Sequence, residues 1–142
     1  MARTRGFRPR ALGEIAIRCA DLTAMEAFYR DIIGLAPLPG DYGAHIRFFR
    51  IAEGVAGHTT VLALFHDTGD FAPGAGGSLH HLALSLPADE LTAVTAWYDS
   101  IGQTYSVQDF PWIGWRGVFT RDPEGNTVEL VAYDPSMLDD QA

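Results

Sequence analysis

The side chains best suited to chemistry are a carboxylate and an imidazole on the polar faces of two predicted strands. Glu14 alternates with apolar residues in EIAIRC (14–19), and His81 does so in HLALSL (81–86). Such groups carry protons and bind divalent metals. The chain has one cysteine, Cys19, in an apolar strand pattern that predicts a buried, inert thiol, and it has no lysine. These counts exclude a zinc site built from several cysteines and a lysine Schiff base.

An internal repeat contains the elements that must position these residues. Residues 22–29 read LTAMEAFY, and residues 91–98 read LTAVTAWY, 69 positions later. In both segments the apolar residues recur at helical spacing, which predicts helices near 22–33 and 89–101, each preceded by one of the strands. The candidate caps are an aspartate before and a glycine after each helix: Asp21, Asp89, Gly34 and Gly102.

Further strand patterns follow each helix, at 45–51 and 58–65 in the first half and at 104–110, 115–121 and 126–133 in the second. The order is therefore strand, helix, strands, twice, which predicts an α+β fold. We predict a single domain over residues 1–135. It consists of modules 11–67 and 78–135, joined by a polar, glycine-rich linker at 68–77 and followed by a loose acidic tail at 136–142.

The charge distribution argues against a nucleic-acid partner. The net charge is -8, and four of the ten arginines lie within the first ten residues, so the body has six arginines against eighteen acids. Such a body repels phosphate backbones. No apolar run approaches the roughly 20 residues that span a bilayer, and the basic N-terminus lacks the apolar stretch of a signal peptide. We expect a cytoplasmic protein that binds no membrane.

Three segments resemble a known family: LGEIAIRCADLTAMEAFYRDIIGL, HHLALSLPADE and RDPEGNTVEL. They are similar to the opening of the first module, and to the opening and close of the second, in the vicinal oxygen chelate superfamily of glyoxalases, bleomycin-resistance proteins and extradiol dioxygenases. The resemblance covers about residues 12–134. It implies two tandem βαβββ modules that form an open, cup-shaped mixed sheet with the helices outside. It also implies a small-molecule substrate and a homodimer.

The resemblance places metal ligands on the first and last strands of each module. The four corresponding positions hold Glu14, Ala63, His81 and Glu129, and the repeat agrees, since 14 and 81 differ by 67 and 63 and 129 by 66. Two carboxylates and one imidazole suit Mn, Fe, Ni, Co or Zn as divalent ions. Glu14 and Glu129 are also the candidate catalytic carboxylates. The alternative is that Glu14 is a solvated strand residue and His81 a hydrogen-bonded structural histidine.

The candidate substrate-binding residues are one basic and three aromatic side chains: Arg18, Phe65, Trp112 and Trp115. In glyoxalase I proteins an arginine at the position of Arg18 holds a glutathione carboxylate; the alternative is an ion pair with a neighbouring acid. Other glutathione contacts are replaced, because Asp67 and Gly77 stand where an asparagine and an arginine are expected. The tryptophans are alternatively core or subunit-interface residues. His45, His58, His66 and His80 are less favoured as metal ligands.

Three functions follow from the resemblance. The first is a glyoxalase-like metal-dependent enzyme that isomerises, epimerises or cleaves a small oxygen-chelating substrate through an enolate. The second is an extradiol-type dioxygenase, although Glu14 replaces the first histidine of that branch. The third is a non-enzymatic binder of a drug or other small molecule, of the bleomycin-resistance type, which Ala63 and the aromatic residues favour.

Overall fold

A computed structural model describes residues 4–67, 69, 71, 73–74 and 77–138 of the 142-residue chain. Parts of the predicted linker (68, 70, 72, 75–76) and of the predicted tail (139–142) therefore lie outside the described residues. The chain divides into unit 1, Met1–Thr68, and unit 2, Gly69–Ala142. Where the structure describes the chain, none of the helices has the length and apolar character needed to cross a bilayer.

Unit 1 contains a four-stranded mixed sheet. Its strands are β1 (Glu14–Cys19), β2 (Ala36–Pro37), β3 (Ile46–Ala52) and β4 (Thr60–His66), in the order β1-β4-β3-β2. β1 runs parallel to β4, and the remaining pairs are antiparallel. Helix α1 (Leu22–Ala27) continues into a π-helical segment, Phe28–Ile33, so the helical stretch as a whole matches the predicted 22–33.

Unit 2 repeats this topology. Its strands are β5 (Leu82–Ser85), β6 (Ser106–Phe110), β7 (Trp115–Arg121) and β8 (Thr127–Tyr133), in the order β5-β8-β7-β6, and helix α2 spans Leu91–Ile101. β5 is parallel to β8, and the other pairs are antiparallel. Since the strand order and directions match those of unit 1, the predicted tandem βαβββ architecture is confirmed.

Each sheet packs its helix on one face, which we call the helix face, and the opposite face is called the far face. Strand alternation places a set of buried apolar side chains from each sheet on the helix face. In unit 1 the buried helix-face residues include Ile17, Cys19, Leu62 and Leu64, packed with Met25 and Tyr29 of the helical segment. In unit 2 they include Leu82, Leu84, Val118 and Val128, packed with Leu91 and Tyr98 of α2. Glu14 and Glu129 consequently lie on the far faces.

Three of the four predicted helix caps are present. The Asp21 carboxylate accepts a hydrogen bond from the Ala24 amide at 3.0 Å, and Gly34 and Gly102 end the helices with φ of +88° and +72°. The prediction for Asp89 is wrong. A short 3-10 turn, Ala88–Glu90, precedes α2, so Asp89 lies inside helical backbone, where its side chain does not cap α2.

The DPEGN sequence closes the β7–β8 hairpin. Asp122 is 4% exposed, and its carboxylate accepts hydrogen bonds from the Glu124 and Asn126 amides, both at 3.0 Å, and from Asn126 Nδ2 at 2.9 Å. Gly125 adopts φ of +86°, which favours glycine. This turn sets the hairpin register that pairs Phe119 with Glu129.

Candidate functional site

Two of the predicted metal-binding residues meet on the far face of unit 2. Parallel pairing of β5 with β8 puts Ala83 opposite Glu129, and His81, two residues before Ala83, continues the same face immediately before β5. His81 Nε2 lies 3.2 Å from Glu129 Oε1. Two donors that both bind one metal at about 2.0–2.2 Å are about this far apart, so the pair is compatible with a shared ion.

The Glu129 carboxylate is buried, with the residue only 5% exposed. Burial raises the pKa of Glu129 above its ordinary value, because desolvation penalises the charged form more than the nearby His81 stabilises it. A carboxylate with a raised pKa is a stronger base than a solvated one. This environment suits proton transfer to or from a bound molecule.

Gly117 makes room for that carboxylate. A Cβ at residue 117 would lie 2.9 Å from Glu129 Cδ and 2.9 Å from Phe119 Cε2, and nearer still to Glu129 Oε2. Any side chain on Gly117 would therefore displace Glu129. This role was not predicted, although glycine in the middle of a predicted strand, WRGVFTR, is a recognised sign of a close approach.

His81 is oriented from two sides. Its Nδ1 lies 2.8 Å from His80 Nδ1, so one of these rings donates and the other accepts, and its ring centroid is 6.1 Å from that of Phe119. These contacts leave Nε2 directed at Glu129. His80 is exposed, and its contact with His81 is one that the sequence did not indicate.

Glu14 and Ala63 have the same register in unit 1 as His81 and Glu129 have in unit 2. Ala16 is opposite Ala63, and Glu14 lies two residues before Ala16, as His81 lies before Ala83. Glu14 is exposed, whereas Ala63 is fully buried and offers no donor atom. The two modules thus present equivalent pairs of positions. In unit 1 the position that corresponds to Glu129 is held by Ala63, which cannot bind a metal.

Among the described residues, no group of three His, Cys, Asp or Glu side chains is placed to hold a metal ion. That Glu14 joins the His81–Glu129 pair stays a prediction.

Arg18 and Phe65 lie side by side on the far face of unit 1, where they are in register on β1 and β4. Arg18 Nε lies 3.3 Å from Asp67 Oδ2, and the two side chains are 69% and 40% exposed. All three residues line a depression of about 330 Å³. The ion pair anticipated as an alternative for Arg18 is present, and a role for Arg18 and Phe65 in substrate binding stays a prediction.

Trp112 and Trp115 are not core residues, since they are 71% and 44% exposed. Trp112 lies in the turn between β6 and β7. Trp115 begins β7, in register with Phe110 on one side and Tyr133 on the other, so three aromatic residues form one row across the far face of unit 2. Their exposure contradicts the core alternative, and a role for either tryptophan in substrate binding stays a prediction.

Solved structures with this fold come from several bacteria. Lactoylglutathione lyase from Agrobacterium tumefaciens is 28% identical, with a TM-score of 0.67 over 87% of this chain and 94% of that chain. A glyoxalase/dioxygenase from Nostoc punctiforme is 20% identical, with a TM-score of 0.68 over 94% and 99%. The fosfomycin resistance protein FosX from Listeria monocytogenes is 18% identical, with a TM-score of 0.64 over 92% and 98%. The last two similarities show the fold alone.

No curated protein matches the chain at a significant level. The sequence pattern of a protein family does match, and it covers residues 11–130, which include both modules and the positions of Glu14, His81 and Glu129. The chain belongs to the Glyoxalase/Bleomycin resistance protein/Dioxygenase superfamily.

Proposed function

We propose that this protein is a glyoxalase-like, metal-dependent enzyme that isomerises, epimerises or cleaves a small substrate with two neighbouring oxygens. The observation that carries the proposal is the contact of half-buried His81 with the buried Glu129 carboxylate, with 3.2 Å between Nε2 and Oε1. A histidine beside a carboxylate with a raised pKa serves both ion binding and proton transfer. The similarity to lactoylglutathione lyase, at 28% identity, agrees with this class of reaction.

The donor set fits a divalent ion of the first transition series. His81 Nε2, Glu129 and Glu14 would supply one nitrogen donor and two carboxylates, a combination that suits Mn, Fe, Ni, Co or Zn. With Ala63 at the fourth position, three protein ligands leave places for water or substrate. When bound, such an ion polarises substrate oxygens and lowers the pKa of a neighbouring C–H group.

The protein's own residues then move the proton. Glu129 would take a proton from the carbon next to the two neighbouring oxygens of the substrate and return it to an adjacent carbon, which isomerises the substrate. Epimerisation would need a second acid on the opposite face, a role for which Glu14 is the candidate. In the metal-free protein burial raises the pKa of Glu129, which makes its carboxylate a stronger base than a solvated one. His80 holds the His81 ring, and Gly117 leaves the carboxylate its space.

A dioxygenase is the weaker enzymatic alternative, because Glu14 replaces a histidine of that branch. A binding protein without a catalytic metal is the second candidate, and one observation favours it: fully buried Ala63 removes one donor from the four positions. In that case Trp112 and Trp115 would contact the ligand.

The deciding experiment is metal analysis of the purified protein, before and after chelator, combined with His81→Ala. We expect close to one bound divalent ion per chain and its loss in the variant, because two carboxylates brought together without the imidazole repel each other. Isomerase activity on small 2-oxo and 2-hydroxy substrates should fall by orders of magnitude in both cases. Oxygen uptake separates isomerase from dioxygenase chemistry.

His45→Ala is the matched control, since His45 is an exposed histidine of unit 1 whose ring stacks on His66. It should retain both the ion and the activity. If the purified protein holds no metal and binds its ligand equally well in chelator, the proposed enzymatic function is wrong. The binding protein without a catalytic metal is then the function that remains.

A further inference from the structure

Unit 2 contains a second polar feature beside the His81–Glu129 pair. A pocket of about 570 Å³ opens at the β6 edge of the sheet, and far-face residues of three strands line it: Ser106, Gln108, Phe119, Arg121 and Thr127. Phe119 is in register with Glu129, and Arg121 with Thr127. Arg121 and Glu129 are therefore diagonal neighbours on one face, and such residues typically lie about 7–8 Å apart, within reach of a long side chain.

The pocket is built from hydrogen-bond donors. It presents one guanidinium, one side-chain amide and two hydroxyl groups, from Arg121, Gln108, Ser106 and Thr127. Within the described part of unit 2, no carboxylate forms an ion pair with Arg121, whereas Arg116 of the same strand pairs with Asp109 at 2.6 Å. An exposed arginine among neutral donors, in a chain with net charge -8, leaves a local positive site in an acidic protein.

Hydrogen bonds hold the wall behind this pocket. Gln103 Nε2 donates to Thr120 Oγ1 at 2.7 Å, and Thr120 Oγ1 donates to the Thr104 carbonyl at 2.7 Å. These bonds tie the loop after α2 to β7, next to Arg121, while the Asp122 turn holds the other end of the same residue. A guanidinium on a fixed backbone loses less freedom when it binds a ligand.

We infer that this pocket binds a carboxylate group of the substrate, with Arg121 as the charged partner and Gln108, Ser106 and Thr127 as neutral donors. The inference rests on the proposed function, because it places the acidic end of the substrate beside the carbon that Glu129 deprotonates. A single guanidinium near the Glu129 carboxylate suits a monoanion better than a phosphate dianion. The substrate class is thus a small carboxylic acid that carries further oxygens.

Nuclear magnetic resonance tests this on the metal-free protein in chelator, through the Arg121 Nε–H and Gln108 side-chain amide signals. The probes are lactate, lactamide and inorganic phosphate at constant ionic strength. We expect lactate to shift both signals saturably, and lactamide, which has the same skeleton without the charge, to bind at least about tenfold more weakly. Arg121→Gln should abolish the lactate response at Gln108.

The repeat provides a matched control in Arg50→Gln. Arg50 stands opposite Val61 in unit 1 as Arg121 stands opposite Thr127 in unit 2, and both are exposed. This variant makes the same charge change and should bind lactate normally. The inference is overturned if Arg121→Gln binds lactate as the unaltered protein does, if Arg50→Gln weakens lactate equally, or if phosphate binds and lactate does not.

The metal-dependent enzyme and the carboxylate pocket can be contradicted independently of each other. Lactate binding is measured without metal, so an absent ion would contradict the enzyme and leave the carboxylate pocket intact. A normal metal content and chelator-sensitive activity with no lactate response would contradict only the pocket.

Discussion

The Glu129 carboxylate lies against the Cα of Gly117 on the neighbouring strand, where no other residue type leaves space for it. A Cβ at residue 117 would lie 2.9 Å from Glu129 Cδ, closer than two carbon atoms approach without repulsion. The burial that raises the pKa of Glu129 thus depends on a missing side chain one strand away.

Gly117→Ala should therefore displace Glu129 and separate it from His81. We expect a loss of about 1–3 kcal/mol in the free energy of unfolding, typical of overpacking, with loss of bound metal. Urea unfolding and metal analysis measure the two effects. Gly77→Ala is the control, because a Cβ there meets nothing within 4 Å; equal behaviour of the two variants would disprove the steric account.

The stability of the metal-free protein should depend on pH through Glu129. Since the folded pKa is raised, the contribution of Glu129 to stability is fully present below its ordinary pKa of 4.5 and is lost as the pH rises through the folded value. Glu129→Gln should remove this loss, so the variant gains stability relative to the unaltered protein as the pH increases to 7. Urea titrations across pH measure the difference.

Glu53→Gln supplies the comparison, because Glu53 is an exposed carboxylate of the same type. It should show no such gain. A difference between Glu129→Gln and the unaltered protein that does not change with pH would mean that Glu129 is not held in a desolvated environment.

The turn before β8 should be sensitive to Asp122→Ala. The Asp122 carboxylate accepts three hydrogen bonds while almost fully buried, and its removal leaves buried donors unpaired, at a cost of about 2–3 kcal/mol. Asp41→Ala, which removes one exposed hydrogen bond to the Gly43 amide at 3.1 Å, should cost under about 1 kcal/mol. Chemical denaturation compares the two; a smaller loss for Asp122 would contradict its role.

The Arg18–Asp67 pair should contribute little to stability. Both side chains are substantially exposed, at 69% and 40%, and exposed pairs are worth about 0–1 kcal/mol. Asp67→Asn should release the Arg18 guanidinium and shift the Arg18 Nε–H resonance. The Nε–H resonance of Arg116, which pairs with Asp109, is the internal control and should stay unchanged. An unaltered Arg18 signal would show that Asp67 does not hold it.

The sequence alone determined the architecture, because its signals are local and repeated. The alternation of residue types over 14–19 predicted both ends of β1. The LTAMEAFY/LTAVTAWY repeat predicted two modules, and the two sheets have equivalent strand orders. Period-2 spacing in strands and helical spacing in helices indicate which side of an element is buried. The helix face and the far face of each strand could therefore be predicted from residue types. Two-residue β2, at Ala36–Pro37, was missed because it is too short to alternate.

The tertiary structure decided what each candidate residue touches. Glu129 and Gly117 are twelve positions apart, His81 and Glu129 forty-eight, and Arg18 and Asp67 forty-nine, so their contacts depend on strand register and not on spacing along the chain. The Asp122 turn sets that register in unit 2, and parallel pairing brings His81 to Glu129. A sequence pattern reports the face on which a side chain lies, whereas the partner, the burial and hence the pKa follow from the strand that packs beside it.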